Sequence, residues 1–278
     1  MRSLGSWEDL PVPELPDVEN YKRYLDATAL HERVADVVVG NAKVLRGLSA
    51  SEISKRLTGR SLESSCRHGK HLLVTLDDGA CLTIHFGMTG RLAYFKAMDE
   101  DPKYDRLRLD FDNGYHLAFD CRRMIGRVGL AESDTAFVAA EELGPDALDV
   151  DLTAFRKLLA DRRGGIKAAL MDQSLLAGIG NVYSDEILFH AGIDPRAAVE
   201  ALDDDTVAAL HHSLRTVLKT AIDRGAGSEE LIHRLPDTYL LPHREQGAGC
   251  PRCDGKVHRA KIAGRTSYFC PACQTKGR

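Results

Sequence analysis

The sequence has no hydrophobic run of membrane-spanning length, no secretory signal and no internal repeat or low-complexity tract. These absences argue against a membrane span, a secreted disulfide scaffold and a solenoid. Aromatic residues make up 6% of the 278 residues, and the single tryptophan lies in residues 1–12, which have no periodicity. We expect those twelve residues to be a disordered leader. The odd total of seven cysteines favours a reducing compartment, so a cytoplasmic protein is expected.

Four of the cysteines are grouped at the C-terminal end. Cys250-Pro-Arg-Cys253 is followed, after sixteen residues, by Cys270-Pro-Ala-Cys273. Two such pairs at this separation are typical of a four-thiolate structural zinc site, with one hairpin between them. We therefore predict one structural Zn²⁺ per chain, bound by these four cysteines. Disulfide bonds are the alternative interpretation of the same residues.

The segment between the two pairs is basic. It carries four Lys or Arg residues against one acid, and the net charge of 242–278 is +6 although that of the chain is −4. The remainder therefore carries −10. A basic end on an acidic body is compatible with binding a polyanion on one face. The alternative is a solvated hairpin that contacts nothing.

The N-terminal half reads as one helix followed by strands. Pro16 suits a first helical turn, and Asp17 and Glu19 complement its dipole. Asn113-Gly114 predicts a type I′ hairpin turn. Sequential antiparallel strands with such turns favour a β-sandwich. The predicted strands include His71–Leu76, Cys81–Phe86, Arg91–Phe95 and the strictly alternating Arg106–Phe111.

Near residue 145 the pattern changes to helices, with 143–148 as the predicted link. The predicted class is α+β: a β-sandwich domain over 13–145, a helical domain over 146–240 and a zinc finger over 241–278. The predicted helices are Asp151–Asp161, Ile166–Met171, Val182–Ala191, Asp203–Arg224 and Ser228–Arg234.

Five short segments occur in a fixed order ahead of the cysteine pairs: Pro13–Glu19, Arg67–Lys70, His85–Gly90, Ile166–Asp172 and Gly178–Tyr183. Together with the zinc finger they resemble the motifs of the formamidopyrimidine-DNA glycosylase (Fpg/Nei) family, nearer its Fpg branch. Pro13–Glu19 is similar to the family's PELPEVE and His85–Gly90 to its HLGMSG, and the last two segments are similar to its helix–two-turn–helix motif. The resemblance covers residues 13–278.

The resemblance implies a bifunctional DNA glycosylase/AP lyase that excises oxidised bases, with oxidised purines favoured. It would cleave the abasic strand by β,δ-elimination through an iminium on an N-terminal proline, here Pro13. A secondary amine suits this attack on C1′ of the sugar, and Glu14 beside it can move protons. Lys70 and Arg265 would assist the eliminations and grip phosphates. The alternative is that Pro13-Glu14 only starts a helix and that Lys70 and Arg265 are surface charges.

The same resemblance implies DNA contacts by a further set of side chains. Met88 would fill the space left by the displaced nucleotide, and Arg122 would reach the orphaned base. Arg163 and Lys167, which flank a Gly-Gly helix entry, suit contacts with backbone phosphates, and Asn181 and Tyr183 could bind phosphate with the backbone N–H groups of a helix start. Met88 and Tyr183 are equally compatible with core positions, and Arg163 and Lys167 with solvated helix-end charges. The expected DNA-binding residues are Met88, Tyr104, Arg122, Arg163, Lys167, Asn181 and Tyr183.

Three departures from the family pattern matter. Pro13 is internal, so its nitrogen is an acylated amide; Val12 stands where the family has its initiator Met, and we expect a true start there. The family's DPRRFG reads as 120–126 here, with Met124 in place of the aromatic wedge. The segment between Gly225 and Cys250 is shorter than expected for family members specialised for 8-oxoguanine, and their VYGR-like stretch is replaced by 241–244.

The expected partner is double-stranded DNA containing oxidised bases or abasic sites, bound by a monomer in the bacterial cytoplasm without a membrane partner. One alternative is a catalytically inactive binder of damaged or abasic DNA, if the leader persists. Another is a zinc-ribbon module for protein contacts, which would leave Pro13, Glu14, Lys70 and Asn181 without a purpose.

Overall fold

The structure is a computed structural model that describes residues 12–228 and 231–275. The predicted leader therefore lies outside the described residues, apart from Val12. The chain forms two compact units. The β unit is Val18–Glu142, and the helical unit comprises the described parts of Met1–Asp17 and Leu143–Arg278. Across 12–228 and 231–275, no helix has the length and apolar character that a membrane span needs.

The β unit holds two four-stranded antiparallel sheets and three helices. The helices are α1 (Leu15–Thr28), whose first turn belongs to the helical unit, α2 (Ala50–Leu57) and α3 (Asp134–Ala140), with 3-10 turns at Ala42–Val44 and Met98–Glu100. The strands are β1 (Val34–Val38), β2 (Leu62–His68), β3 (His71–Leu76), β4 (Cys81–His85), β5 (Gly90–Phe95), β6 (Asp105–Phe111), β7 (His116–Cys121) and β8 (Arg127–Ala131). The strand orders in the two sheets are β1-β6-β7-β5 and β2-β3-β4-β8.

A single apolar core fills the space between these sheets, which confirms the predicted sandwich. Strand β6 has the predicted alternation: Leu107, Leu109 and Phe111 are buried and the residues between them are not. Residues of the second sheet, such as Leu72 and Ile84, belong to the same core cluster. Period-two patterning therefore fixes which face of β6 is buried.

The hairpin turn at Asp112-Asn113-Gly114 differs from the prediction. Gly114 has a φ of +77°, whereas Asn113 is absent from the positions with positive φ. The Gly114 N–H donates to the Phe111 carbonyl at 2.9 Å, and the Asn113 side chain accepts from the Tyr115 N–H at 2.9 Å. The turn thus has one left-handed residue after a tight i to i+3 bond, a three-residue hairpin rather than type I′.

The helical unit packs its helices around one core and joins them to the zinc-finger hairpin. In the helix Asp204–Asp223 the predicted stripe, which includes Leu210, Leu214 and Val217, is buried. The described part of the predicted Ser228–Arg234 helix contains only a 3-10 turn. The elements are α4 (Leu152–Ala160), α5 (Ile166–Met171), α6 (Asn181–Ala191), α7 (Asp204–Asp223), β9 (His258–Ile262) and β10 (Arg265–Phe269), with 3-10 turns at Val199–Ala201, Ile232–Arg234 and Leu241–His243.

Candidate functional site

The carboxylate of Glu14 lies at the start of α6. Its Oε2 accepts the backbone N–H of Gly180 at 2.7 Å and that of Tyr183 at 3.2 Å, and its Oε1 accepts the N–H of Val182 at 2.8 Å. These N–H groups begin a helix and have no intrahelical partner, so an anion is favoured there. Glu14 is 1% exposed. Its position is therefore set by backbone groups rather than by another side chain.

The loop before α6 brings the chain around Glu14 into place. Gly178 has a φ of +118°, and its carbonyl accepts the Leu15 N–H at 3.1 Å. A Cβ on Gly178 would lie 2.6 Å from the Leu15 side chain, so a glycine is required by both its conformation and this contact.

Asp17 holds the backbone of Glu14 from the other side. Its carboxylate accepts the Glu14 N–H at 2.8 Å, the Ser228 N–H at 2.9 Å and the Ser228 hydroxyl at 2.6 Å. Burial raises the pKa of Asp17 to about 6, against the lowering effect of these hydrogen bonds. From the sequence, Asp17 was expected only to complement the helix dipole. Its position, three residues after Glu14, is that of the acid in a capping box, a signal that would have identified the contact.

Two expected phosphate ligands are enclosed instead. Lys167 is fully buried, and its ammonium donates to Asp185 and, at 3.2 Å, to the Asn181 carbonyl. Burial lowers the pKa of Lys167 against the opposing effect of Asp185. Tyr183 is also fully buried, with its hydroxyl 3.5 Å from the Ala226 carbonyl. The expectation of direct phosphate contacts by the Lys167 and Tyr183 side chains is thus corrected. Tyr183 has the core position given as its alternative, whereas Lys167 is enclosed in an ion pair and is not the solvated helix-end charge given as its alternative.

The α6 N–H groups, expected to bind phosphate, are occupied by Glu14. Asn181 is half-buried, and its amide donates to the Thr266 carbonyl at 3.0 Å. Its Oδ1 is buried and has no hydrogen-bond partner among the described residues. Arg163, before α5, is exposed. Arg163 is therefore open to a nucleic acid, whereas the Asn181 side chain is directed toward the hairpin, and the DNA contacts of both residues stay predictions.

The basic hairpin presents Arg265 at its tip. Strands β9 and β10 pair with Arg265 opposite Ile262, and the two residues between them, Ala263 and Gly264, have φ values of +50° and +74°. Consecutive positive φ values are those of a tight hairpin turn that matches strand twist. Arg265 and Lys261 are exposed beside this turn.

The two cysteine pairs converge at the base of that hairpin. The sulfurs of Cys250, Cys253, Cys270 and Cys273 all lie within 4.8 Å of one another, and three of the S–S separations are 3.4, 3.4 and 3.7 Å. A tetrahedral zinc with Zn–S bonds of about 2.3 Å places its sulfurs about 3.8 Å apart. The four thiolates therefore form a closed, structural Zn²⁺ site with no position left for a substrate.

In the β unit, Lys70 lies in the tight turn between β2 and β3, after Gly69, whose φ is +56°. Met88 lies in the loop between β4 and β5, and Arg122 follows β7. The Arg122 guanidinium is exposed and lies 6.0 Å from the centre of the Tyr104 ring. The structure thus brings Arg122 and Tyr104 together, and their roles toward DNA stay predictions.

The loops carrying Met88 and Arg122 are in backbone contact. Gly87 has a φ of +63°, and a Cβ there would lie 2.5 Å from the Gly126 nitrogen. The side chains offered by the second loop differ from expectation. Met124, with a φ of +52°, packs against the sandwich core, whereas Ile125 is 42% exposed. The apolar side chain available in this loop is therefore Ile125 rather than Met124.

Two half-buried histidines near Lys70 form a pair that is not expected from the sequence. His71 and His85 are directly paired on β3 and β4, with ring centres 4.9 Å apart. Burial, reinforced by neighbouring positive charges, lowers the pKa of His71 to about 3 and that of His85 to about 4. Nothing in the spacing of these residues signals a cross-strand pair before the register is known.

The chain matches three family models in order. They describe the formamidopyrimidine-DNA glycosylase N-terminal domain over residues 12–128, its H2TH domain over 143–232, and a zinc finger found in FPG and IleRS over 250–276. Formamidopyrimidine-DNA glycosylases of Pelotomaculum thermopropionicum and Chloroflexus aggregans are 33% and 36% identical to it. Each match covers 95% of this chain and 99% or 98% of the relative.

Solved structures of the Lactococcus lactis Fpg are similar over the same span. One holds DNA with an abasic site (27% identity, TM-score 0.85) and another, of the wild-type protein, holds DNA with N7-benzyl-Fapy-dG (28%, 0.85). Both matches cover 95% of this chain and 100% of the other. With its sandwich, its helix–two-turn–helix motif and its zinc finger, the chain belongs to the formamidopyrimidine-DNA glycosylase family.

Proposed function

We propose that this protein is a bifunctional DNA glycosylase/AP lyase acting on oxidised bases, oxidised purines above all, in double-stranded DNA. It would act as a monomer in the bacterial cytoplasm. The observation that carries the proposal is the Glu14 carboxylate, fixed by three backbone N–H groups directly beside Pro13. The names of the relatives and the DNA bound in the L. lactis structures support the same substrate class.

The reaction needs a nucleophilic amine and a group that moves protons. The Pro13 nitrogen would bond to C1′ of the damaged nucleotide as the bond from C1′ to the base breaks. The amine loses its proton, the departing base gains one, and opening of the deoxyribose ring leaves an iminium. Loss of a proton from C2′ then expels the 3′ phosphate, and a second elimination expels the 5′ phosphate. Glu14 would move the protons during base loss and ring opening.

The nucleophile must be a free amine. In the 278-residue chain the Pro13 nitrogen is acylated by Val12 and has no available lone pair. The N-terminal family match begins at residue 12. We infer that the active form begins at Pro13.

The remaining predicted site residues would grip and open the duplex. Lys70 and Arg265 would bind the phosphates next to the lesion, and exposed Arg163 and half-buried Asn181 would add contacts to the backbone. Met88 and Arg122, with Tyr104 beside Arg122, would occupy the space left by the displaced nucleotide.

Borohydride trapping tests the nucleophile. Protein that begins at Pro13 should form a covalent complex with an abasic or 8-oxoguanine duplex, and Pro13→Gly should trap far less. The full chain, with its leader verified intact by mass, should bind the duplex without trapping, as an inactive binder of damaged DNA would. Equal trapping by both forms would assign the chemistry to another amine, Lys70 first. No base release by either form would refute the glycosylase.

A further inference from the structure

One buried carboxylate on α6 contacts three separate parts of the helical unit. Asp185 is fully buried; its Oδ1 accepts the Lys167 ammonium from α5. Its Oδ2 accepts the Arg244 guanidinium at 2.8 Å and the backbone N–H of Tyr268 at 3.0 Å. Arg244 comes from the segment before the first cysteine pair, and Tyr268 from β10. The side chain thus ties α5 and the hairpin to one helix.

The contact covers an edge of the hairpin. Strand β10 pairs with β9, and on its other edge the Thr266 carbonyl accepts from Asn181 at 3.0 Å while the Tyr268 N–H donates to Asp185. Both partners are side chains of α6. The unpaired edge of β10 therefore lies against α6, whose side chains form hydrogen bonds with backbone groups that would have no partner in a two-stranded sheet. Arg265 precedes Thr266 directly, so this contact sets where Arg265 stands.

The charges make the contact depend on Asp185. Lys167 is fully buried and the Arg244 side chain is 16% exposed, so removing the carboxylate would leave two cations enclosed without it. Arg244 also lies over the Tyr268 ring, 4.9 Å from its centre. Loss of Asp185 would therefore release the strand through both its hydrogen bond and its stacking partner.

We propose that Asp185 is a positioning residue that fixes the hairpin on α6 and so holds Arg265 toward the DNA phosphates. Because the same helix holds Glu14 at its first turn, α6 sets the register of both groups. The inference rests on the proposed function for the role of Arg265. Asp185 itself is fully buried and would touch no DNA.

Binding of a duplex with a tetrahydrofuran abasic analogue tests this in the zinc-loaded full chain, because binding does not need the Pro13 amine. Arg265→Ala should lower affinity about tenfold and lower the salt slope by about 1, as loss of one phosphate contact does. Asp185→Asn should likewise lower both the affinity for the duplex and the salt slope. The substitution removes one negative charge, so a purely electrostatic effect would tighten binding instead.

The double variant decides between positioning and general destabilisation. If Asp185 acts through Arg265, Asp185→Asn should cost nothing further in the Arg265→Ala background. Asp203→Asn is the matched control: it makes the same charge change at the α7 N-cap, where Asn caps as well as Asp, and should leave affinity unchanged. Each variant is expected to retain one zinc. If Asp185→Asn loses its zinc, Arg244→Gln replaces it in the double-mutant cycle with Arg265→Ala.

Additive losses, or a salt slope that Asp185→Asn leaves unchanged, would overturn the proposal. An unchanged affinity in Arg265→Ala would overturn it too, because Asp185 would then have no contact to support. Base release from an 8-oxoguanine duplex by protein beginning at Pro13, assayed in parallel, separates these outcomes from failure of the glycosylase function.

Discussion

Glu14 Oε1 accepts the backbone N–H of Val182 at 2.8 Å, a hydrogen bond between residues 168 positions apart. The other oxygen accepts from Gly180 and Tyr183. Both oxygens therefore act as acceptors toward the start of one helix. An anion suits this position because the helix dipole and the N–H groups are fixed there before any substrate binds.

Glu14→Gln should affect both stability and base release. One oxygen becomes an amide donor that faces a backbone N–H, so the melting temperature should fall. Loss of proton transfer should slow base release by about 100-fold or more, while cleavage at a ready-made abasic site falls less. Single-turnover assays on 8-oxoguanine and abasic duplexes, with protein that begins at Pro13, measure the two steps. Equal losses on both substrates would show that Glu14 acts only in holding the fold.

Substitutions at Ile125 and Met124 should have different effects, the first on opening of the duplex and the second on stability of the fold. Ile125→Ala should reduce the fluorescence rise of a 2-aminopurine placed next to the lesion, because an exposed apolar side chain that can unstack bases is lost. Ile125→Leu should retain the signal. Met124→Ala should lower the melting temperature by removing a core contact and leave the fluorescence unchanged. The reverse pattern would restore Met124 as the wedge.

The zinc site should support the hairpin and therefore DNA binding. One zinc should copurify, and Cys270→Ser should lose it, because metal binding at such a site is coupled to folding. The first cysteine pair also holds the finger on α6, where Arg252 donates to the Phe189 carbonyl at 2.7 Å. Zinc content by a chromogenic chelator and duplex affinity should fall together. Full zinc retention in a Cys250→Ser, Cys270→Ser double variant would refute the four-cysteine site.

Local spacing predicted the features whose determinants are local. The four zinc ligands follow from two short motifs, and the alternation of 106–111 fixed the buried face of β6. Even there a local rule failed at Asn113-Gly114. The side chain of Asn113 is used to accept the Tyr115 N–H, and the loop takes three residues instead of two.

Roles decided by distant partners were not predictable from sequence. Lys167 beside a Gly-Gly entry suggests a phosphate ligand, but Asp185, eighteen residues later, encloses its charge. The start of α6 suggests an anion site for DNA, yet Glu14, 166 residues earlier than Gly180, already occupies it. In both cases the competing partner is known only once the helices have packed.

The stability of the β unit should fall in mild acid through His71 and His85. Their pKa values, about 3 and about 4 in the folded protein, lie below the ordinary value of 6.5 because of burial and neighbouring positive groups such as Lys70. Below about pH 6.5 these histidines take up protons in the unfolded chain but stay neutral in the folded one. Their contribution to the free energy of unfolding is therefore full above about pH 6.5 and is lost as the pH falls toward 4. Each should add a slope of up to about 1.4 kcal/mol per pH unit to the free energy of unfolding.

His71→Phe preserves a ring against Phe137, 5.1 Å away, and removes one titrating group. Urea unfolding between pH 4.5 and 7.5 should therefore give the variant a shallower decline, with its advantage confined to the acid side. Parallel curves for the two proteins would mean that His71 takes up its proton without unfolding the sheet, and that its burial does not hold it neutral.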